Sequence, residues 1–324
     1  ADPLRGVVLD VRDNPGGLLR AAVGVAELFV ARGSVIVSTR GRQDSVENAY
    51  RSDRAPLLPD VPVVILVNGQ SASASEIVAG AIQDLDRGVV MGTTTYGKGL
   101  VQNIRSLPHN TALKLTTAQY YTPSGRTIQS LEPGMRDSSA SSGRAHETAA
   151  GRTVRDGSGI RPDVRVPAPT PSALEKALMR RAAFFRYANH YAATHDTLAA
   201  NFSLTDADLT AFQDWLDQEG LRYPTRAERS LDSLRAQIEA DGYDGASDET
   251  DALAGALQTA KAAAFDRHAS ALKKQLTREI LARYVNAAQQ RAALLPVDEQ
   301  VTAATDLLQN SGRYAQLLTP QEKR

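Results

Sequence analysis

Five consecutive apolar residues, Val63 to Val67, four of them β-branched, constrain this chain more than any other stretch. The run is too short for a helix and too uniformly apolar for a half-exposed strand, so it predicts a strand buried on both faces. Pro62 is tolerated because it stands at the strand's start. Asn68, Gly69 and Gln70 end the run, and helical spacing takes over from Ser73 to Asp84. Ser71, Ser73 and Ser75 therefore fall where a core strand turns into a helix. Unpaired backbone N–H groups and the positive end of the helix dipole favour an oxyanion there, so the residue types suit acyl transfer. The competing reading of any one of these serines is an N-cap.

A serine hydroxyl needs a neighbouring base to attack an amide. His109, His146, His190, His195 and His268 all lie outside this stretch and outside any catalytic motif. Lys98 is the better candidate. It stands between Gly97 and Gly99, just after a second apolar run, Val89 to Gly92, that reads as the neighbouring strand. Flanking glycines suit a lysine turned inward, where desolvation frees its amine. A solvated surface lysine is the competing reading, and Gln102 taken alone reads as a polar position on an exposed strand.

Upstream, Val7 to Val11 reads as a strand ending in Arg12-Asp13-Asn14-Pro15-Gly16-Gly17, with helical spacing over Leu18 to Val30. The two glycines can present N–H groups with no side chain in the way, although turn punctuation is their commoner use. Ser34 to Thr39 is the next strand, and Gly41 to Asp60 is a polar excursion with a short strand near Glu47 to Arg51. Strands alternating with helices predict an α/β core of mainly parallel strands. Ala112 to Tyr121 is a half-exposed strand closed by the Thr122-Pro123-Ser124-Gly125 turn. Residues 131–159, crowded with Ser, Gly, Arg and charge, read as a mobile loop, and Gly159 to Val166 returns to the core.

The run Pro167 to Pro171 marks a boundary. Beyond it helices are predicted over Ala173–His195, Thr205–Glu219, Thr225–Ala240, Asp248–Val285 and Val297–Gln316, with a capping box at Ser172 and Glu175. The apolar stripes Leu253, Leu257, Ala260, Ala264 and Leu272, Leu276, Ile280, Tyr284 predict a small bundle, with a subunit or adaptor interface as the alternative. Phe184, Phe185, Tyr187 and Tyr191 read as core, with a peptide-binding groove as the alternative, and Trp215 reads as core.

Across 324 residues, 37 Lys and Arg balance 37 Asp and Glu, so no global field draws the chain to nucleic acid or to an anionic membrane. No apolar run is long enough to span a bilayer, and without cysteine there is neither a disulfide framework nor a thiol metal site. HExxH and GxxxxGK[ST] are also missing, so no metal or cofactor is called for.

Four motifs in order carry a resemblance: RDNPGG at Arg12 to Gly17, SASASE at Ser71 to Glu76, YGKG at Tyr96 to Gly99 with Gln102 beyond it, and YYTPSGRTIQ at Tyr120 to Gln129. Together they resemble the carboxyl-terminal processing (tail-specific) proteases, which use a Ser/Lys dyad. The resemblance puts the nucleophile on Ser73, the general base on Lys98, the residue that orients the lysine on Gln102, and the oxyanion donors on the N–H groups of Ala74 and Gly17. It implies a Clp protease/crotonase-like core of βα units over residues 1–166, followed by an all-α domain over 172–324. It further implies a serine endopeptidase acting on proteins or peptides with accessible C-terminal tails, periplasmic or otherwise extracytoplasmic, with neither cofactor nor metal. Family members carry a signal sequence or membrane anchor and a PDZ domain ahead of this region, and a core strand starting by Val7 agrees with an upstream extension. Membrane association would come only through that sequence. The rival readings are an inactive protease-fold scaffold that binds peptides or a partner through its helical half, and a crotonase-like acyl-CoA enzyme, which the Ser/Lys pair disfavours.

Overall fold

The computed structural model describes residues 4–41, 46–129, 143–199 and 202–320. They fall into two units, one made of Ala1–Ala168 with Asp298–Arg324 and the other of Pro169–Val297. In chain order the elements are β1 (Val7–Asp10), α1 (Leu19–Ala26), β2 (Val35–Arg40), β3 (Val46–Arg51), β4 (Val63–Val67), α2 (Ala74–Asp84), β5 (Val89–Gly92), β6 (Leu100–Leu107), β7 (Thr111–Tyr121), β8 (Ala145–Glu147), β9 (Thr153–Arg155) and β10 (Val164–Arg165). Helices follow: α3 (Ala173–Arg180), α4 (Ala183–Thr194), α5 (Asp206–Gln218), α6 (Arg226–Asp241), α7 (Ser247–Arg267), α8 (Ala269–Tyr284), α9 (Ala287–Leu294), α10 (Glu299–Gln309) and α11 (Ser311–Leu317). The expected α/β core, followed in sequence by a helical half, is present, but among the described strands four pair in parallel and six antiparallel where mainly parallel strands were expected.

The central sheet has the order β1-β4-β5-β10 with every pairing parallel. All five residues of β4 are fully buried, as a strand covered on both faces must be. The period-two alternation then sorts them. Val63, Ile65 and Val67 face Ile77, Val78 and Ile82 of α2, while Val64 and Leu66 join Val89 and Met91 against Ala304 and Leu307 of α10. Burying each such side chain is worth about 1.5–3 kcal/mol, so this layer carries much of the unit's stability. A second sheet, β3-β2-β7-β6, is antiparallel, and β6 forms its edge.

The structure departs from the sequence reading in several places. The last helices, expected with the helical half, return to the first unit: α10 covers the second face of the parallel sheet, and the Tyr314 hydroxyl both accepts from Val63 N (2.9 Å) and donates to Val63 O (3.0 Å). An apolar face on both sides of β4 requires this cover, whatever its distance in sequence. In the stretch read as a loop over 131–159, residues 130–142 lie outside those described, but β8 and β9 form an antiparallel pair. The pair is tied down by Arg152, whose guanidinium meets Asp86 at 2.5 Å and Asp163 at 2.6 Å. The helix expected over 248–285 breaks at His268, and that over 173–195 breaks at Ala182, which has φ +49°. Leu272, Leu276 and Ile280 are buried as expected, whereas Leu253 is exposed. Phe185, expected in the core with Phe184 and Tyr187, is also exposed, under the Arg283 guanidinium at 4.4 Å.

Candidate active site

The loops that leave the carboxyl ends of β1, β4 and β5 meet, which is where an open parallel sheet places its ligands. The first two are latched together. Asn68 Oδ1 accepts from Asp13 N (3.0 Å) and Asn68 Nδ2 donates to Asp13 Oδ1 (2.9 Å), while Asn14 O accepts from Ala72 N (3.0 Å) and from Ser75 Oγ (3.1 Å). This latch separates the three serines. Ser71 is buried, donating to Val11 O at 2.7 Å and accepting from Asn68 N at 2.9 Å, and Ser75 is buried on Asn14. Ser73 alone of the three is only half-buried. It stands at the first turn of α2 with φ +55° and ψ −113°, a conformation that costs a non-glycine residue about 1–3 kcal/mol and persists only where the surroundings enforce it.

Glu76 does the enforcing. Its fully buried carboxylate accepts four hydrogen bonds: from Ser73 N (2.8 Å) and Lys98 N (2.8 Å) on Oε2, and from Thr95 Oγ1 (2.6 Å) and Gly97 N (2.7 Å) on Oε1. The Ser73 and Lys98 amide nitrogens share one oxygen and lie no more than twice 2.8 Å apart. Thr95 accepts from Ile160 N (2.7 Å), so its own proton is directed at Glu76. Burial pushes the Glu76 carboxyl above its ordinary range and outweighs the four donors, which pull it down. Sequence reasoning passed over both Glu76 and Thr95. The signal for Glu76 was present: it stands three residues after Ser73, the capping-box spacing. Thr95 carried none.

On the other side of Ser73 lies the glycine turn. A Cβ added to Gly16, which has φ +101°, would stand 2.6 Å from Ala72 O and 2.9 Å from Ala74 N. Backbone therefore passes backbone closely at this point, next to the open space around Gly17. Ala74 is the first residue of α2, whose leading N–H groups have no intrahelical acceptor.

Lys98 does not have the expected surroundings. Its side chain is exposed, where the flanking glycines suggested enclosure. Beyond Gly99 the chain enters the β6–β7 hairpin, which is exposed over most of its length, with Ile104, Leu107, Leu113 and Leu115 among its open positions, so nothing described covers the amine. Gln102 lies on the exposed edge strand β6, paired with Thr116 at a register shift. At the far end of α2, Asp84 meets Arg126 at 2.7 Å with both side chains buried, and Arg126 also donates to Gln83 Oε1 at 2.7 Å. This pair ties the SGRTIQ segment to the serine helix. Among the described residues no group of three or more His, Asp or Glu stands ready for a metal ion, and no helix is long and apolar enough to cross a membrane.

Comparison with known proteins adds to this geometry. Residues 2–136 match the family described as "Peptidase family S41", and residues 174–308 match "Probable PDZ-protease, C-terminal helical domain". A carboxy-terminal-processing protease of Bartonella bacilliformis is 52% identical over 130 residues, which cover 40% of this chain and 30% of that protein. The chloroplastic carboxyl-terminal-processing peptidase 1 of Arabidopsis thaliana is 39% identical over 132 residues, covering 40% of this chain and 27% of that protein. The chain thus spans about a third or less of the length of these relatives. A solved photosystem II D1 C-terminal processing protease is 34% identical, covers 50% of this chain and 35% of its own, and superposes with a TM-score of 0.40. Residues 2–136 are thus similar to peptidase family S41 and to the carboxyl-terminal processing proteases.

Proposed function

We propose that this chain is the catalytic part of a serine endopeptidase that cuts polypeptides near accessible C-termini, with Ser73 as nucleophile and Lys98 as general base. One observation carries the reading. A serine in a strained conformation at a helix mouth and the backbone of the only lysine in the neighbouring loops are held on the same buried carboxylate oxygen. In this mechanism a neutral Lys98 Nζ takes the Ser73 Oγ proton as Oγ bonds to the scissile carbonyl carbon. The N–H groups of Gly17 and Ala74 receive the oxyanion. The C–N bond then breaks as the Lys98 ammonium returns its proton to the leaving amine, and water releases the acyl-enzyme by the same exchange in reverse. Gln102 positions Lys98. The mechanism requires the Lys98 side chain to swing from solvent toward Ser73 when substrate covers the site. An extracytoplasmic setting belongs to the same reading, as does a helical half that serves assembly or an adaptor.

The exposure of Lys98 favours a second reading, a protease-fold scaffold that binds polypeptide without cutting it. Cleavage of a tagged, unstructured substrate separates the two. Ser73→Ala and Lys98→Ala should each lower turnover by about 10³-fold or more, as expected for loss of a nucleophile or its base. Cleavage that persists in either variant removes the assignment, and a parent chain that binds the substrate without cutting it selects the scaffold.

A further inference from the structure

In the helical unit, α4 carries Tyr187, His190, Tyr191 and Thr194 at i, i+3, i+4 and i+7, so they share one face. On α5 the residues Asp208, Ala211, Trp215 and Gln218 likewise share a face. Between these faces lies a cleft of about 390 Å³. Its base is firm: Tyr187 and Trp215 are buried, their rings meet edge to face at 5.4 Å, and Tyr187 also packs edge-on against Phe212 at 5.0 Å. Toward the rim, Tyr191 stacks on His195 at 4.0 Å with the rings 4° from parallel. Ala211 leaves open the space that a larger side chain would fill. The volume is within the range of ligand clefts and well above that of a packing defect.

Asp208 and Asp214 contribute carboxylates to the lining and His190 and His195 contribute imidazoles, while no lysine or arginine lines the cleft. Lys273 pairs with Asp206 at 3.0 Å, and Arg186 pairs with Glu219 at 3.1 Å while also reaching over the Trp215 ring. Among the described residues neither Asp208 nor Asp214 forms an ion pair with a basic side chain. Burial and the charge of Asp208 together push the Tyr187 and Tyr191 phenols up, so both stay protonated. The Trp215 indole already attracts one cation from outside the lining, the Arg186 guanidinium at 5.7 Å. Aromatic faces beside carboxylates that have no basic partner repel an anion, offer a neutral apolar group no return for the water it displaces from them, and attract a cation from two directions.

We propose that this cleft receives an arginine or lysine side chain from an extended partner polypeptide, with the charged head over Tyr187, Tyr191 and Trp215 and paired to Asp208 and Asp214. The volume accommodates the aliphatic stem together with the head. The inference is independent of whether the first unit cleaves peptides.

Trp215 is the only tryptophan in the chain, so its emission reports on the cleft directly. The whole chain is titrated with Nα-acetyl-arginine methylamide, with the norleucine and glutamate counterparts as controls, and with an unstructured polypeptide bearing either arginine or glutamine at its variable positions. A saturable change is expected with the arginine ligands alone. Asp214→Asn should weaken it about threefold, the scale of one exposed charge pair. Tyr191→Leu should do so by a similar factor through loss of a ring face. Asp208 also caps α5 by accepting from Thr205 N, so Asp214, exposed at the rim, is the variant that leaves the fold intact. Equal responses to arginine and norleucine, no response to any ligand through the millimolar range, or a response unmoved by Asp214→Asn and Tyr191→Leu would each overturn the proposal. So would binding of the small arginine ligand with no preference for the arginine polypeptide, since the cleft would then serve a free cation.

Discussion

At the scale of single residues, Glu76 decides more than its place in the sequence suggests. An amide there would point an NH₂ group at one of the N–H or O–H donors that a carboxylate accepts from. Glu76→Gln should therefore cost about 1–3 kcal/mol, the penalty of a buried donor left unpaired, read as a lower midpoint in denaturant. It should also loosen both Ser73 and Lys98. The pH dependence follows from the direction of its shift. Because the folded state keeps the Glu76 proton to higher pH than the unfolded chain, this residue's contribution to stability is largest in acid and declines as pH rises from the ordinary glutamate range through the raised folded value. The Gln variant should lack that decline, and denaturant midpoints measured across mildly acidic pH would show it. The two glycines make a sharper pair. Gly16→Ala puts a methyl 2.6 Å from Ala72 O at φ +101° and should cost about 1–3 kcal/mol together with most of the activity, whereas Gly17→Ala, with nothing within 4 Å, should be tolerated. Equal effects of the two, by turnover and by thermal unfolding, would contradict the close approach of the two loops.

At the scale of elements, the strand β4 and the helix α2 were legible because one apolar run and one change of period specify both. The separate roles of the three serines were not legible: Ser71 and Ser75 are spent on the carbonyls of Val11 and Asn14, which are remote in sequence. The fate of α10 was hidden for a similar reason. Its pattern reads as one more amphipathic helix, and only the second apolar face of β4 explains where it packs. Asp298 holds its start, accepting from Gln300 N (3.0 Å) and Val301 N (3.2 Å) and pairing with Arg12 at 2.9 Å. Burial alone would raise the Asp298 carboxyl, but Arg12 and the helix N–H groups overrule it and hold it below the usual range. That contribution is present at neutral pH and lost as pH falls through the depressed value. Asp298→Ala should remove about 1 kcal/mol of capping and speed hydrogen exchange in α10 before the rest of the unit, and unchanged exchange there would count against the latch. Arg126→Ala, which strands the buried Asp84 charge, should be harsher at about 3–5 kcal/mol.

At the scale of the whole molecule, the first unit is completed by residues 298 to 320, so a chain ending at Val297 should lose the cooperative unfolding of that unit while the aromatic and aliphatic core of residues 174–284 keeps its own. Calorimetry on the shortened chain checks this by the number and area of its transitions. The central claim is chemical, and the most direct measurement is the site of covalent labelling by a serine-reactive fluorophosphonate, mapped by mass spectrometry of the digested protein. The account expects the label on Ser73, absent from Ser71 and Ser75, and lost in Lys98→Ala. A label on another serine, or labelling of Ser73 that is indifferent to Lys98, would contradict it.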